Sequence, residues 1–342
     1  MNRKNLIIIS VIAIICIAVA LLMSSKKQPE TGLASGQLFL PKLKENLNQV
    51  DKIIIQHSGN EAITLTKLGE KWGVAEKSGY KANFSEIRGI LTELADAKLF
   101  EAKTKKEKKY IQLGVEEVTK EKGSGSRITI HSKGTMLEDV IIGRYKINKG
   151  TYLRKANEKQ SWLSQSKIII KSNIIEWLDL DLIQISEGNI SSVRYSPIEG
   201  TEYQIDRDSN EQSYKVLHNG ITSAPKNPRF ADNLARLISE MKPTDVAPRE
   251  SSILKDQIHS SRTYKTFDGI TILAICSKLK EDKTAQITFD FVNSETADAS
   301  DTAKLVEQYK KEISPWVYTI DDSIFGKFNK QLNDIIDVEA EQ

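Results

Sequence analysis

The chain has 342 residues, 39% hydrophobic and 28% charged, with 18 Gly and 8 Pro. That balance excludes collagen-like, low-complexity and wholly disordered chains and leaves room for about two domains of ordinary size. Lys and Arg number 49 against 46 Asp and Glu, a formal charge of +3 that falls close to neutral once Arg3 and Lys4 are set aside; a nucleic-acid binder is usually far more basic, and two cysteines, Cys16 and Cys276, cannot build a disulfide framework.

First along the chain comes an uninterrupted apolar run over residues 6–23 (LIIISVIAIICIAVALLM). As a helix it reaches about 27 Å, close to the roughly 30 Å hydrocarbon core of a bilayer, and a helix satisfies its own backbone there. Arg3, Lys4 and the small residues Ala18 and Ala20 also resemble a cleaved secretory leader. The run, however, exceeds the usual leader core, and Leu21, Leu22 and Met23 continue it past the cut. Ile15 before Cys16 does not suit lipidation. The short basic start favours retention of the N-terminus inside, against Lys26 and Lys27 on the other flank. The expectation is therefore a single-pass anchor over 1–24 in the cytoplasmic membrane, with the bulk of the chain extracytoplasmic. A tether over 25–48 follows, its first part polar and broken by Pro29, Gly32 and Gly36.

Beyond the tether the pattern repeats. Residues 50–56 (VDKIIIQ), 62–67 and 71–75 read as strands, and 84–99 switches to helical spacing with Ile87, Leu91 and Leu94 on one face. Residues 127–131 and 136–142 form a hairpin around Gly134, and strands at 151–154 and 161–163 complete the unit. A second pass follows: strands at 190–195, 202–206 and 213–217, a helix over 228–241, then strands at 262–267, 271–277 and 285–291. Leu91 and Leu94 align with Leu234 and Leu237, and the strand-then-helix ending at 162–180 aligns with 316–336. The expected fold is α+β: an N-terminal transmembrane helix, then two tandem repeats of antiparallel sheet with packed helices, at 49–187 and 188–342. Several strands between helices argue against a doubly wound parallel sheet. Residues 101–109 and 293–301 are expected to project as polar segments.

No sequence pattern of catalysis, cofactor or metal binding stands out. His57, His131, His218 and His259 are more than forty residues apart, and the chain contains no HExxH, CxxC, Walker A or GxSxG motif. The GSGS of residues 123–126 lacks the Gly-Lys-Ser/Thr of a phosphate loop. The carboxylate pairs Glu116 with Glu117, Asp179 with Asp181, and Asp321 with Asp322 have no motif context. No catalytic residue, cofactor or metal is expected, and the four tryptophans are read as core anchors. The one concentrated charge is the lysine run Lys103, Lys105, Lys106, Lys108 and Lys109, a candidate contact for an acidic partner or an anionic lipid surface, although a solvated loop is the simpler reading. It lacks the aromatic platforms of a single-strand nucleic-acid binder.

Several segments together resemble the bacterial membrane-anchored family known as domain of unknown function 4340. They are Leu38, Phe39, Leu40 and Pro41; residues 43–51 (LKENLNQVD); 65–72 and Val74; Lys103 and Thr104; Tyr110; Leu113, Gly114 and Val115; 150–154 (GTYLR); and Trp177, Leu178 and Asp179. The resemblance implies a non-catalytic accessory or scaffold protein, an auxiliary component of a gliding-motility-type ABC transport complex with a protein partner in the membrane. An envelope carbohydrate- or lipid-binding protein is the alternative, and an exposed aromatic groove would mark it.

Overall fold

The computed structural model describes residues 36–210, 212–252, 257–278, 283–293 and 300–337. The expected anchor, residues 25–35 of the tether, and residues 294–299 of the expected projecting segment lie outside them; the described part of the tether, 36–48, includes a helix over Pro41–Asn46 with Leu43 buried. Among the described residues no helix is long and apolar enough to cross a membrane. The chain divides into two compact units, one of 36–73 with Phe84–Trp177, the other of Val74–Asn83 with 178–337. This division falls at Trp177, where the sequence pattern placed it at 187.

The first sheet contains β1 (Val50–His57), β2 (Ile63–Leu68), β3 (Lys71–Val74), β4 (Tyr80–Lys81), β5 (Leu99–Ala102), β6 (Ser126–Ser132), β7 (Thr135–Lys146), β8 (Gly150–Lys155) and β9 (Ser161–Ser164). Their spatial order is β4-β3-β2-β1-β6-β7-β8-β9-β5. The second contains β10 (Ile190–Pro197), β11 (Tyr203–Asp206), β12 (Lys215–His218), β13 (Ile221–Ser223), β14 (Asp245–Pro248), β15 (Ile258–Thr266), β16 (Ile270–Ser277), β17 (Thr284–Asn293) and β18 (Trp316–Asp321), in the order β13-β12-β11-β10-β15-β16-β17-β18-β14. The two orders are the same. Even a bulge recurs, between Val50 and Lys52 in β1 and between Ile190 and Ser192 in β10. The repeat seen in the sequence is thus a repeat of topology.

Alternation explains the inner strands. β6 buries every second residue, so Ile128 and Ile130 face the core, and β10 buries Val193 and Tyr195. The two-residue turn between β6 and β7 places both Lys133 and Gly134 at positive φ, 52° and 74°, the geometry that matches strand twist.

One helix links the opposite edges of each sheet: α2 (Phe84–Asp96) joins β4 to β5, and α4 (Pro228–Glu240) joins β13 to β14. Asn227 caps α4 by accepting from the Arg229 backbone N–H, with Pro228 in the first turn. The buried positions Ile87, Ile90, Leu91 and Leu94 of α2 correspond to Ala231, Leu234, Ala235 and Ile238 of α4. The helix register is therefore one residue away from the Leu91–Leu234 match in the sequence. Each fully buried Leu or Ile on these faces contributes about 1.5–3 kcal/mol. The other helices are α1 (Pro41–Asn46), packed against α2, and α3 (Tyr110–Leu113) in the first unit; the second has α5 (Ser300–Glu312), as long as α4, and the short α6 (Asp322–Phe328) and α7 (Leu332–Ile335).

Two expectations are corrected. The first unit does not end in a helix after β9: its tail, with the β-branched Ile168, Ile169 and Ile170, runs extended to a 3-10 turn at Ile174–Trp177, where the Asn173 side chain accepts from the Ile175 N–H. After β18, by contrast, the Asp321 carboxylate accepts from the Ile324 N–H and starts α6. Residues 101–109 do not all project, since β5 pairs with β9 and the Lys103 N–H donates to the Ser161 carbonyl.

Each sheet also buries an arginine. Arg154 in β8 donates from Nε to the Val115 carbonyl (2.7 Å) and lies 4.7 Å from the Tyr110 ring centroid. Arg262 in β15, fully buried, donates to the Phe328 carbonyl (2.6 Å) and the Tyr203 hydroxyl (3.1 Å) and stacks 4.7 Å from the Tyr195 ring. Carbonyls and aromatic faces offset the loss of hydration in both cases.

Candidate functional site

The first unit carries a groove of about 530 Å³ at the β5 edge of its sheet. Its floor is a cross-strand row: Leu163 of β9 pairs with Tyr152 of β8 on one side and Glu101 of β5 on the other, which places the three side chains on one face. One wall is Phe100, 44% exposed, with Lys103; the other is the β7–β8 hairpin, with Tyr145, Lys146 and Lys149.

The hairpin is held by its backbone. The Lys149 N–H donates to the Lys146 carbonyl (2.9 Å), Asn148 takes a left-handed φ of 59°, and Gly150 takes 115°. A Cβ on Gly150 would lie 1.8 Å from the Ser164 carbonyl oxygen, so only glycine lets β8 begin this close to β9. At the tip between the lysines stands Ile147, 76% exposed.

Electrostatics favour an anion. Glu101 is the one carboxylate among the lining residues. Its Oε2 lies 2.6 Å from Lys103 Nζ, which also sits 6.0 Å from the Tyr152 ring centroid. Lys146 and Lys149 are exposed, and Lys167 Nζ lies 5.9 Å from the Tyr145 ring. Three lysines against one glutamate leave the lining positive.

The lysine run of the sequence analysis is split by the fold. Lys103 enters the groove, whereas Lys105, Lys106, Lys108 and Lys109 are exposed on the loop and the 3-10 turn Glu107–Lys109 that lead into α3. Tyr145, Lys146, Lys149, Tyr152 and Phe100 join Lys103 there, and sequence reasoning missed them. The available signal was Asn148-Lys149-Gly150, a turn triplet between two strand patterns.

A second groove, about 570 Å³, lies in the second unit between α4 and α6–α7. It is mainly apolar, with Phe230 (41% exposed), Leu234, Leu237, Met241, Ile324 and Ile335 inside and Lys327, Lys330, Glu240 and Asp334 at its margin. Trp72 and Trp177 are buried and Trp162 and Trp316 half-buried; none lines either groove.

The fold also joins a serine and a histidine that the sequence keeps far apart. His57 Nε2 lies 3.2 Å from the Lys171 carbonyl, which can only accept, so Nε2 carries the proton and Nδ1 accepts from the Ser126 hydroxyl at 3.1 Å. Burial holds the His57 pKa below its ordinary value, with the Lys171 carbonyl opposing. The pair lines neither groove. Among the described residues no group of three or more His, Cys, Asp or Glu could hold a metal ion.

A family described as Domain of unknown function (DUF4340) matches residues 72–256, more than half of the chain. The chain belongs to the DUF4340 family. The matched span begins at Trp72 in β3 and takes in the groove, α4 and β14. No curated protein and no solved structure matches the chain.

Proposed function

We propose that this DUF4340 protein is a non-catalytic, membrane-anchored accessory protein that works at the outer face of the cytoplasmic membrane by binding and positioning a partner. The observation that carries this reading is where the chain enters its folded body. The Gly36 N–H donates to the Leu99 carbonyl and the Leu99 N–H to the Gln37 carbonyl, both at 2.8 Å, so the segment arriving from the apolar run joins the body beside β5 and its cationic groove. An anchor confines the protein to two dimensions and raises its effective concentration near membrane partners.

The family resemblance adds an ABC-type transport complex as the partner, and the apolar groove of the second unit suits a partner's apolar segment. The test is a photocrosslinking residue in place of Phe230 in the full chain, in intact cells, followed by affinity purification. Reproducible recovery of ABC-type membrane subunits supports the accessory role; recovery of none overturns it. A second reading, an envelope carbohydrate- or lipid-binding protein, is favoured by Phe100, Tyr145 and Tyr152 in the first groove.

A further inference from the structure

We infer that the β5 groove and the β7–β8 hairpin tip form a docking surface for the anionic phospholipid headgroups of the membrane that anchors the chain. The inference rests on the proposed anchor and names what the first unit does once it is held there.

Reach is the first argument. Twelve residues, 24–35, separate the apolar run from Gly36. In any conformation they span at most about 40 Å, and as a flexible chain about 20 Å. Gly36 is bonded to Leu99, and Phe100 of the groove is the next residue. The groove therefore stays within that distance of the bilayer surface.

The second argument is chemical. Ile147 stands exposed between Lys146 and Lys149, an apolar side chain able to enter the interface while its flanking ammonium groups meet phosphates. Tyr145 and Tyr152 are amphipathic rings of the kind that settle at headgroup depth, and Lys103 supplies a further cation inside the groove. Each lysine near an anionic surface strengthens docking about five-fold, an effect that fades within a Debye length of about 8 Å at physiological salt. An enclosed binding site is not needed, because the anchor supplies the concentration and the lysines supply orientation.

The experiment is hydrogen exchange on the full chain reconstituted into nanodiscs of phosphatidylcholine alone or with about one-third phosphatidylglycerol. Peptides covering 99–103 and 143–150 should exchange more slowly in the anionic discs, and high salt should remove the difference. Lys146→Gln with Lys149→Gln should weaken docking about 30-fold and abolish the protection, while exchange in α2 and β6 stays unchanged and reports an intact fold. Equal exchange in the two kinds of disc overturns the inference. Protection that appears only with native membranes, and not with protein-free anionic lipid, assigns the groove to a protein partner and overturns it too. Alkaline carbonate extraction tests the anchor separately: a chain that is extracted loses the anchor reading, and the exchange comparison on vesicles of the same two compositions still decides the docking.

Discussion

Replacing Gly150 with alanine sets a methyl group against the backbone of β9. The added carbon would lie 1.8 Å from the Ser164 carbonyl oxygen and 2.8 Å from the Gln165 Cα, and neither is a side chain that can swing away. Restoring ordinary contact requires β8 and β9 to part by more than about 1 Å at this end, which breaks the pairing of Thr151 with Ser164; each lost backbone hydrogen bond costs about 1 kcal/mol. Alanine at a φ of 115° adds about 1–3 kcal/mol of backbone strain. The expected destabilisation of the first unit is about 3–5 kcal/mol. Gly134→Ala is the control: its φ is 74°, nothing lies within 4 Å of the new methyl group, and only the left-handed penalty of about 1–2 kcal/mol applies. Urea unfolding followed by tryptophan fluorescence reports on the first unit through Trp72, Trp162 and Trp177. With a slope of about 2 kcal/mol per molar urea, the Gly150→Ala midpoint should fall about 1 M below that of Gly134→Ala. Equal midpoints for the two variants would refute the steric argument and, with it, the account of how the hairpin beside the groove is held.

Two further outcomes follow from buried titrating groups. Cys276 is fully buried, and burial pushes its thiol up to about 12, so in a Cys16→Ser background it should resist a thiol reagent at pH 8 and react only as urea unfolds the second unit; rapid reaction of the native protein would contradict its place in the core of β16. His57 is held below its ordinary pKa, so the unfolded chain takes up a proton that the folded chain resists, and stability falls as pH drops below about 6.5. Comparing unfolding midpoints from pH 7.5 to pH 5 with those of His57→Gln cancels the other titrating groups to first order; the wild type should lose more stability on acidification, and parallel profiles would remove His57 from the account.

The candidate site was legible only in part. Lys103 was visible as a charge, but its four neighbours in the run looked equivalent to it, because a linear pattern does not say which side of a loop meets a sheet edge. Glu101 falls in the segment expected to project, Phe100 between that segment and the helical pattern at 84–99, and Tyr145, Lys146 and Lys149 beyond the strand pattern at 136–142, while β7 continues to Lys146. Those residues become one groove only because β5 pairs with β9 and β9 with β8. The link between Ser126 and His57 was hidden for the same reason, since the two meet at the paired ends of β1 and β6.

Strand-scale alternation, helix-scale spacing and their recurrence were enough, without coordinates, to set the α+β class, the antiparallel arrangement, the duplication and the apolar run at 6–23. These features are written in local side-chain polarity, which a window of a dozen residues already contains. The edge strands β4, β5, β13 and β14 were not visible, being two to four residues long with too few positions to show a period. Helix α5 was missed as well: Val306 and Tyr309 are its buried apolar anchors, with Ile313 just past its end, but most of its other positions are charged or polar. Tertiary structure decided these elements because an edge strand is defined by hydrogen bonds to a partner far away in sequence, and a sparse helix by the sheet it covers.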